Sequence, residues 1–230
     1  MADFSICERL LASAQFVRAG AHFADIGTDH AYLPIFLLKT GKISRAVCSD
    51  INEGPLLVAK KNALDAELSE KIDFVLTDGA DALSEFGITD AAICGMGGEL
   101  ISDIVTRAEF FKRDKVRLIL QPMSRQAHLR RTLTSLGYKI LDEAYSSDSG
   151  KFYVTILAEY VGVSSSYDEF FYEFGALSEA KELSSSALGY LEGKKRALKK
   201  AIEGKKQGGE PCEREELLYS ELLKHLGKSE

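Results

Sequence analysis

The sequence predicts an α/β protein in which helices cover both faces of a parallel β-sheet. Segments typical of strands alternate with segments typical of helices five times before residue 138. The strand segments are continuous apolar runs, which is expected when both faces of a sheet are buried. Two further strand segments then follow each other without a helix between them, which predicts an antiparallel hairpin at the end of the sheet.

The individual elements are predicted from hydrophobic periodicity and from residues that start or end helices. Asp3 is the expected N-cap of the first helix, and Gly41 is the expected C-cap of the second. Pro55 lies in the first turn of the third helix, where proline is tolerated. The predicted helices are 3–19, 33–41, 54–68, 99–111 and 124–137, and the predicted strands are 21–27, 45–50, 71–79, 90–98 and 116–122, followed by 138–146 and 151–161.

Five parallel strands followed by a hairpin indicate a Rossmann-like sheet with an antiparallel strand inserted near one edge, as in class I methyltransferases. After Val163 the strand signals stop. Leucines at helical spacing in 174–204 and 212–226, on either side of "KQGGEP", predict two long helices in an antiparallel hairpin. We therefore expect a sheet domain over 1–163 and a helical hairpin over 164–230, which holds RNA, holds a partner or only covers the sheet.

The composition is typical of a globular protein that works in a reducing compartment. Of 230 residues, 45% are apolar and 28% are charged, and no apolar run is long enough to span a bilayer. The start, "MADFSICERL", lacks the basic and apolar parts of a secretory signal. The four cysteines form no CxxC pair, so we expect no metal site, no disulfides and a cytoplasmic location.

The net charge of −6 argues weakly against a nucleic-acid partner, but the average conceals two basic clusters. Residues 107–139 contain nine Lys and Arg, and residues 194–206 contain seven. Clusters of this kind bind phosphate even in an acidic chain, although each is also compatible with an ordinary solvated surface.

The strongest indication of a binding site is the loop after the first predicted strand, "ADIGTDHAYLP". Ligands of open parallel sheets bind at the carboxyl ends of the strands. Gly27 lets the backbone approach a ligand, but the loop has one glycine and lacks the dinucleotide fingerprint G-x-G-x-x-G. A loop with one glycine and acidic neighbours suits S-adenosylmethionine (SAM), which carries a sulfonium and an ammonium. Asp25 or Asp29 would then face the methionine part of SAM.

Carboxylates also follow the second and third predicted strands. Asp50, followed by Ile51 and Asn52, is placed to accept hydrogen bonds from ribose hydroxyls. Asp78, followed by Gly79 and Ala80, is placed to accept from the adenine amino group. Each aspartate alone is also a common helix cap or turn residue. Carboxylates at three consecutive strand ends together favour a nucleoside site.

The fourth and fifth strand ends are expected to complete the crevice. The run of Cys94, Gly95, Met96, Gly97, Gly98 and Glu99 exposes backbone donors and leaves room for a flat acceptor, or is a tight turn that needs glycine. The Asn-Pro-Pro-Tyr motif of many amino-methylating enzymes is absent. Arg125 either holds a phosphate or lies at a helix start. His30 either contacts an incoming base or caps a helix, and Cys94 is interpreted as a packing residue close to the ligand.

Four segments together resemble the bacterial TrmK family: "ADIGTDHAYLP", "DAAICGMGGELI", "LILQPM" and "SGKFYVTI". The resemblance extends from the N-terminal helix to the C-terminal helices. It implies SAM-dependent methylation of N1 of adenine 22 in tRNA, in the cytoplasm. It also implies a Rossmann-like catalytic domain and a coiled-coil-like C-terminal domain that helps to hold tRNA.

For that reaction, a carboxylate near the cationic product base would stabilise the transition state. Asp29 is the first candidate and Glu99 the second. The cofactor-binding candidates are Asp25, Gly27, Asp29, His30, Asp50, Ile51, Asn52, Asp78, Gly79, Ala80, Cys94, Gly95, Met96 and Gly97. The substrate-binding candidates are His30, Gly98, Gln121, Pro122, Arg125, Lys194, Lys195, Arg196 and Lys199.

Two other functions remain open from the sequence. One is a SAM-dependent methyltransferase with a different acceptor, and the other is a non-catalytic RNA-binding module. A nicotinamide-dependent dehydrogenase is disfavoured because the phosphate-binding glycines are missing. No protein partner is inferred, and the oligomeric state stays open with a monomer slightly favoured.

Overall fold

The computed structural model describes residues 5–180 and 182–227, and its centre is one mixed β-sheet. The strands in chain order are β1 Phe23–Ile26, β2 Ala46–Asp50, β3 Ile72–Leu76, β4 Asp90–Gly97, β5 Arg117–Ser124, β6 Tyr138–Asp148 and β7 Lys151–Tyr160. Across the sheet their order is β3-β2-β1-β4-β5-β7-β6. The first five strands pair in parallel, and β7 runs antiparallel to both β5 and β6. The predicted sheet with its inserted antiparallel strand is therefore confirmed.

Helices cover both faces of this sheet. They are α1 Glu8–Phe16, α2 Tyr32–Lys39, α3 Glu53–Asp65, α4 Gly98–Arg107, α5 Glu109–Arg113, α6 Gln126–Ser135, α7 Glu169–Phe174, α8 Ser185–Gly208 and α9 Glu213–His225. Short 3₁₀ turns lie at 69–71, 81–86 and 175–178. Within the described ranges, no helix is both long enough and apolar enough to cross a membrane.

Side chains of the parallel strands alternate between two apolar cores. On β5, Leu118 and Leu120 join the core beneath α4 and α6, whereas Ile119 joins the core beneath α1 to α3. Ala24 and Phe23 on β1 divide in the same way. Because successive strand residues point to opposite faces, a strand buried on both faces is expected to be apolar on both, as the runs 23–24, 91–93 and 118–120 are.

The C-terminal helices share one of these cores. Phe174, Leu191 and Leu218 belong to the same buried cluster as Val154 and Ile156 of β7. Helices α8 and α9 form the predicted hairpin, since α8 ends at Gly209 in the left-handed conformation (φ +69°) and α9 contacts α8 on its return. The helical region therefore also covers the sheet, and the domain boundary after residue 163 stays a prediction.

The largest differences between predicted and observed helix bounds occur in three helices. The first helix, predicted over 3–19, begins at Glu8 and ends at Phe16. Its expected cap Asp3 lies outside the described residues. The expected helix 99–111 is divided at Ala108, whose backbone (ψ 77°) leaves the helical region. The long helix α8 starts only at Ser185, because the Ser184 hydroxyl accepts a hydrogen bond from the Ala187 N–H at 3.2 Å and caps it there.

A buried ion pair joins α6, β6 and the C-terminal region. Both side chains of Arg130 and Glu143 are fully buried, and the Arg130 Nε–Glu143 Oε1 distance is 2.7 Å. Arg130 also donates to the carbonyl of Tyr172 at 2.9 Å, and Glu143 accepts from the N–H of Ala176 at 3.0 Å. The Tyr145 hydroxyl donates to Glu143 as well. The charges are thus fully hydrogen-bonded, which is the condition under which a buried pair is tolerated.

We expect Glu143→Gln to destabilise the fold by about 3 kcal/mol, because it leaves the Arg130 charge buried without a counter-charge. The measurement is urea unfolding followed by circular dichroism. Arg45→Ala is the matched control, since the Arg45–Asp73 pair is exposed and such pairs contribute about 0–1 kcal/mol. Equal losses in the two variants would contradict this interpretation of the buried pair.

Candidate functional site

A cavity of about 650 Å³ opens at the carboxyl edge of the sheet. Its walls come from the loop between β1 and α2 (residues 27–31, here the β1–α2 loop), the end of β4 and the start of α1. Of the predicted site residues, the cavity brings together Asp25, Gly27, Asp29, His30, Cys94, Gly95 and Met96. These residues come from β1 and β4, which are neighbours in the sheet, so their strand ends meet at one edge.

Asp25 is a buried carboxylate at the floor of the cavity. It accepts a hydrogen bond from the Thr28 hydroxyl at 2.6 Å, and this hydroxyl accepts from the Ala31 N–H at 3.2 Å. Burial raises the pKa of Asp25 to about 6, against the opposing effect of the Thr28 hydrogen bond. No ion pair to Asp25 is present within residues 5–180 and 182–227. The cavity therefore offers a carboxylate that lacks a cation.

Gly27 allows the β1–α2 loop to touch the end of β4. Its φ is +74°, and a Cβ atom on it would lie 1.7 Å from the Met96 Cε. The loop is also held from the other side, because the N–H groups of Gly27 and Thr28 donate to the Ser49 carbonyl of β2 at 2.7 and 2.9 Å. The left-handed φ favours glycine at this position.

Asp29 and His30 lie at the mouth of the cavity. The Asp29 side chain is 72% exposed, and its Oδ2 is 3.1 Å from His30 Nε2. The His30 ring stacks on Tyr32 with the centroids 4.9 Å apart and an angle of 12° between the planes. An exposed carboxylate and two stacked aromatic rings therefore lie together at the mouth of the cavity.

Asp50 and Asp78 lie at the same edge of the sheet but outside the lining of the cavity. Asp50 Oδ1 accepts from the Asn52 N–H at 2.7 Å, so it makes the turn contact that was the alternative interpretation. Asp78 faces Arg107, which donates to its two oxygens at 3.2 Å each and lowers the pKa of Asp78. Ile51 is exposed, whereas Ala80 next to Gly79 is buried. The ribose and adenine contacts of this group stay predictions.

The end of β4 is irregular where it lines the cavity. The β4–β5 register shifts between Cys94 and Met96, and the bulge residue Gly95 has φ +82°. Its N–H donates to the Gln121 Oε1 at 3.1 Å instead of continuing the ladder. The Cys94 thiol contacts the Ser13 hydroxyl at 3.5 Å, and burial raises its pKa to about 12. Cys94 is thus an uncharged packing residue in the cavity wall.

The start of α4 is packed against the end of β5. A Cβ atom on Gly98 would lie 2.5 Å from the Arg125 carbonyl oxygen, so the tight turn requires this glycine. Gly97 is the N-cap of α4, and Pro122 is buried with its carbonyl oxygen 3.5 Å from the Gln126 amide nitrogen. Arg125 (φ +56°) is exposed and lies 3.4 Å from Glu99. Glu99 does not line the cavity, whereas Asp29 does.

The cations of α8 divide into paired and exposed groups. Lys194 is 3.6 Å from Glu173, and Lys195 pairs with Glu192 one turn earlier. Lys205 and Lys206 pair with Glu215 and Glu216 of α9. The remaining cations of this cluster are exposed and make no ion pair with any described residue: Arg196, Lys199 and Lys200. They lie at positions i, i+3 and i+4, which places them on one face of the helix.

Nine residues that line the cavity were not among the predicted site residues, and Thr28, Tyr32 and Arg9 are three of them. Thr28 and Tyr32 lie inside the quoted loop, and a hydroxyl three residues after Asp25 is a signal that could have identified Thr28. Arg9 of α1 reaches the cavity from elsewhere in the chain and donates from Nη1 to the Gln121 Oε1 at 2.7 Å. The two residues are 112 positions apart, and no local pattern indicates such a contact.

The chain is similar to known methyltransferases. A family model described as a methyltransferase domain matches residues 6–156. The tRNA (adenine(22)-N(1))-methyltransferase of Bacillus subtilis is 34% identical over 168 residues, which cover 73% of this chain and 71% of the relative.

Solved structures extend the similarity over nearly the whole chain. A Streptococcus pneumoniae protein in complex with S-adenosyl-L-methionine is 31% identical with a TM-score of 0.84, and 96% of this chain and 100% of that chain are covered. The Bacillus subtilis m1A22 tRNA methyltransferase TrmK is 28% identical with a TM-score of 0.77, covering 98% and 97%. The chain therefore belongs to the TrmK family of SAM-dependent tRNA (adenine(22)-N1)-methyltransferases.

Proposed function

We propose that this protein transfers the methyl group of SAM to N1 of adenine 22 in tRNA. The observation that carries the proposal is the cavity at the carboxyl ends of β1 and β4, where a buried carboxylate, a glycine contact and an exposed acid lie together. The relative from Bacillus subtilis, which is named for this reaction, supports the proposal. The cytoplasmic location and the oligomeric state stay predictions.

The residues of the cavity fit SAM. Asp25 is buried without a cation, and the ammonium of SAM supplies one. The left-handed Gly27 lets a ligand approach the backbone of the β1–α2 loop. Asp50 is the last residue of β2 and Asp78 follows β3, so both lie along the same edge of the sheet, where the ribose and adenine would extend. SAM supplies an electrophilic methyl group when it is bound.

The chemistry at the acceptor needs orientation more than proton transfer. Adenine N1 carries an in-plane lone pair and is unprotonated at neutral pH, so it attacks the methyl group without a base. The protein holds the base in line and excludes water, which gives the rate advantage of proximity. Adenine N1 is otherwise engaged in pairing or stacking, so the base must leave its stack to reach the cavity.

Asp29 is the carboxylate best placed to stabilise the cationic product base. It lies at the mouth of the cavity, its side chain is exposed, and its Oδ2 is 3.1 Å from His30 Nε2. A fixed negative charge near a developing positive charge lowers the barrier most where water is excluded. Glu99, the second candidate, instead faces Arg125 beyond the cavity wall.

The exposed cations of α8 are the parts of the C-terminal region best suited to tRNA phosphates. Arg196, Lys199 and Lys200 carry charge that no described carboxylate neutralises, whereas Lys194 and Lys195 are already paired. Binding to RNA phosphates displaces counterions and is more favourable for unpaired cations, because a paired lysine must first lose its ion pair. Arg125 at the sheet edge is a further candidate, after release from Glu99.

The reaction is tested first by methyl transfer from labelled SAM to unmodified tRNA that carries adenine at position 22. We expect incorporation only into this tRNA, as 1-methyladenosine, and none into the same tRNA with guanine at position 22. Equal labelling of both tRNAs would indicate a different acceptor. Binding of tRNA and SAM without transfer would favour the non-catalytic RNA-binding alternative.

The two aspartates should separate binding from chemistry. We expect Asp29→Ala to lower kcat by about 100-fold with little change in the SAM dissociation constant, since its charge acts on the product base. Asp50→Ala should instead weaken SAM binding about 10-fold, because a hydrogen bond to a charged group is lost. Calorimetry measures the SAM dissociation constant, and methyl-transfer kinetics measure the rate. Equal losses of rate and of SAM affinity in Asp29→Ala would exclude a catalytic role.

The α8 cations should act through electrostatics alone. The variant Arg196→Ala/Lys199→Ala/Lys200→Ala is expected to weaken tRNA binding and to flatten the dependence of log Kd on log salt by about two units or more, since each neutralised phosphate contributes about 0.7–0.9. Lys206→Ala is the matched control, because Lys206 is already paired with Glu216. An unchanged salt slope in the triple variant would remove this face of α8 from the tRNA interface.

A further inference from the structure

Helix α7 connects the helices of the sheet with the α8–α9 hairpin. Its Glu169 pairs with Arg131 of α6 and with Arg214 of α9. One turn later, the Glu173 carboxylate lies 2.9 Å from the Arg214 guanidinium and 3.6 Å from the Lys194 ammonium of α8. Exposed ion pairs are individually weak and are screened by salt, so these contacts alone do not fix the position of α7.

The Arg130 side chain of α6 holds the end of α7 from within the core. Its Nη1 donates to the carbonyl groups of Tyr172 and Glu173 at 2.9 and 3.3 Å. Carbonyl groups in the last turn of a helix have no partner within that helix, and a cation is favourable there. The Nε and Nη2 of Arg130 donate to Glu143 of β6 at 2.7 and 3.2 Å. One guanidinium therefore binds a strand of the sheet and the end of α7 at the same time.

The chain that follows α7 fits closely against the Glu143 carboxylate. Gly175 has a φ of +61°, and a Cβ atom on it would lie 1.9 Å from the Glu143 Oε2. The N–H of Ala176 donates to the same oxygen at 3.0 Å. The carboxylate cannot move away without losing its hydrogen bonds from Arg130 and Tyr145. The exit of α7 is thus fixed relative to β6.

Tyr145 extends this buried network to α8. Its hydroxyl donates to Glu143 and lies 3.1 Å from the Phe174 carbonyl oxygen. Its ring packs against Tyr190 of α8, with the ring centroids 5.1 Å apart. The exposed cations of α8 follow Tyr190 on the same uninterrupted helix. The direction of α8 at Tyr190 therefore decides where these cations lie.

Apolar burial and this network constrain α8 differently. Leu191 and Tyr190 share the apolar core of the sheet, but apolar contacts have no preferred direction. Hydrogen bonds at a buried charge need fixed distances and angles, and a buried polar network with every group satisfied specifies one arrangement. The network also includes a helix next to the site, since α6 starts where the Arg125 carbonyl packs against Gly98.

We propose that Arg130 is a positioning residue for tRNA: with Glu143 it fixes α7 and so aims the exposed cations of α8 at the tRNA backbone. The inference rests on the proposed function and adds a role for an ion pair that is fully buried and therefore does not touch RNA. Its contribution to catalysis is to align the bound tRNA with the cavity, with no part in SAM binding.

The first test is Arg130→Lys, which keeps a positive charge beside Glu143 but replaces the fork of donors by one ammonium group. We expect the tRNA dissociation constant, measured by fluorescence anisotropy, to rise at least about 5-fold as the phosphate contacts of α8 weaken. The SAM dissociation constant, measured by calorimetry, should stay within about 2-fold, because the cavity is a separate site.

Ile119→Val is the matched control for a general loss of stability. It removes one methyl group from the core on the opposite face of the sheet and leaves the Arg130 network intact. Urea unfolding gives the stability of both variants and shows that each is folded. We expect Ile119→Val to bind tRNA like the wild type.

A double-mutant cycle tests whether Arg130 acts through α8. The variant Arg196→Ala/Lys199→Ala/Lys200→Ala is compared with and without Arg130→Lys. If the two changes remove the same part of the tRNA affinity, the combined variant binds at most about 2-fold more weakly than the triple variant alone. Independent effects would instead multiply.

Two results would overturn the proposal: equal tRNA affinities of Arg130→Lys and Ile119→Val, or losses that multiply in the combined variant. An unchanged tRNA affinity of the triple variant would also overturn it, because α8 would then hold no tRNA. A wild type that binds tRNA without methylating adenine 22 would contradict the proposed function, and the binding cycle would still decide the role of Arg130.

Discussion

The site depends on the close approach of the β1–α2 loop to the end of strand β4. Met96 fills the space where any side chain on residue 27 would lie, and Gly98 lies directly against the backbone at Arg125. The contact at Gly98 is with a backbone carbonyl and excludes a Cβ atom, whereas at Gly27 the left-handed φ of +74° favours glycine. The carboxylate of Asp25 and the guanidinium of Arg9 face the same cavity because this spacing is fixed. The polar groups of the site would not converge on one small ligand if the loops stood further apart.

Much of the fold and part of the site follow from local pattern. Continuous apolar runs predict buried parallel strands, and the residues after such strands must meet at one edge. That rule correctly grouped Asp25, Gly27 and Met96. It did not distinguish a carboxylate that faces a cavity from one that completes a turn, as Asp50 does, or one that faces an arginine, as Asp78 does. The local sequence does not show which residue an exposed side chain will pair with in the folded protein.

Long-range polar contacts account for the rest. Arg9 and Gln121 are far apart in sequence, and so are Arg130 and the carbonyl groups of α7. Their hydrogen bonds depend on how the sheet and helices pack together, and no spacing in the sequence predicts them. The helical boundaries that were mispredicted have a related cause, since one capping hydroxyl at Ser184 outweighs an otherwise continuous leucine pattern.

The shared core of the sheet and the C-terminal helices has a geometric consequence. Helix α8 is 24 residues long, which corresponds to about 36 Å. Because Tyr190 and Leu191 near its start are buried in the core shared with the sheet, the exposed cations further along α8 have a fixed position relative to the cavity at the sheet edge. If these cations bind tRNA phosphates, as proposed above, then α8 holds the bound backbone at a constant distance from the cavity.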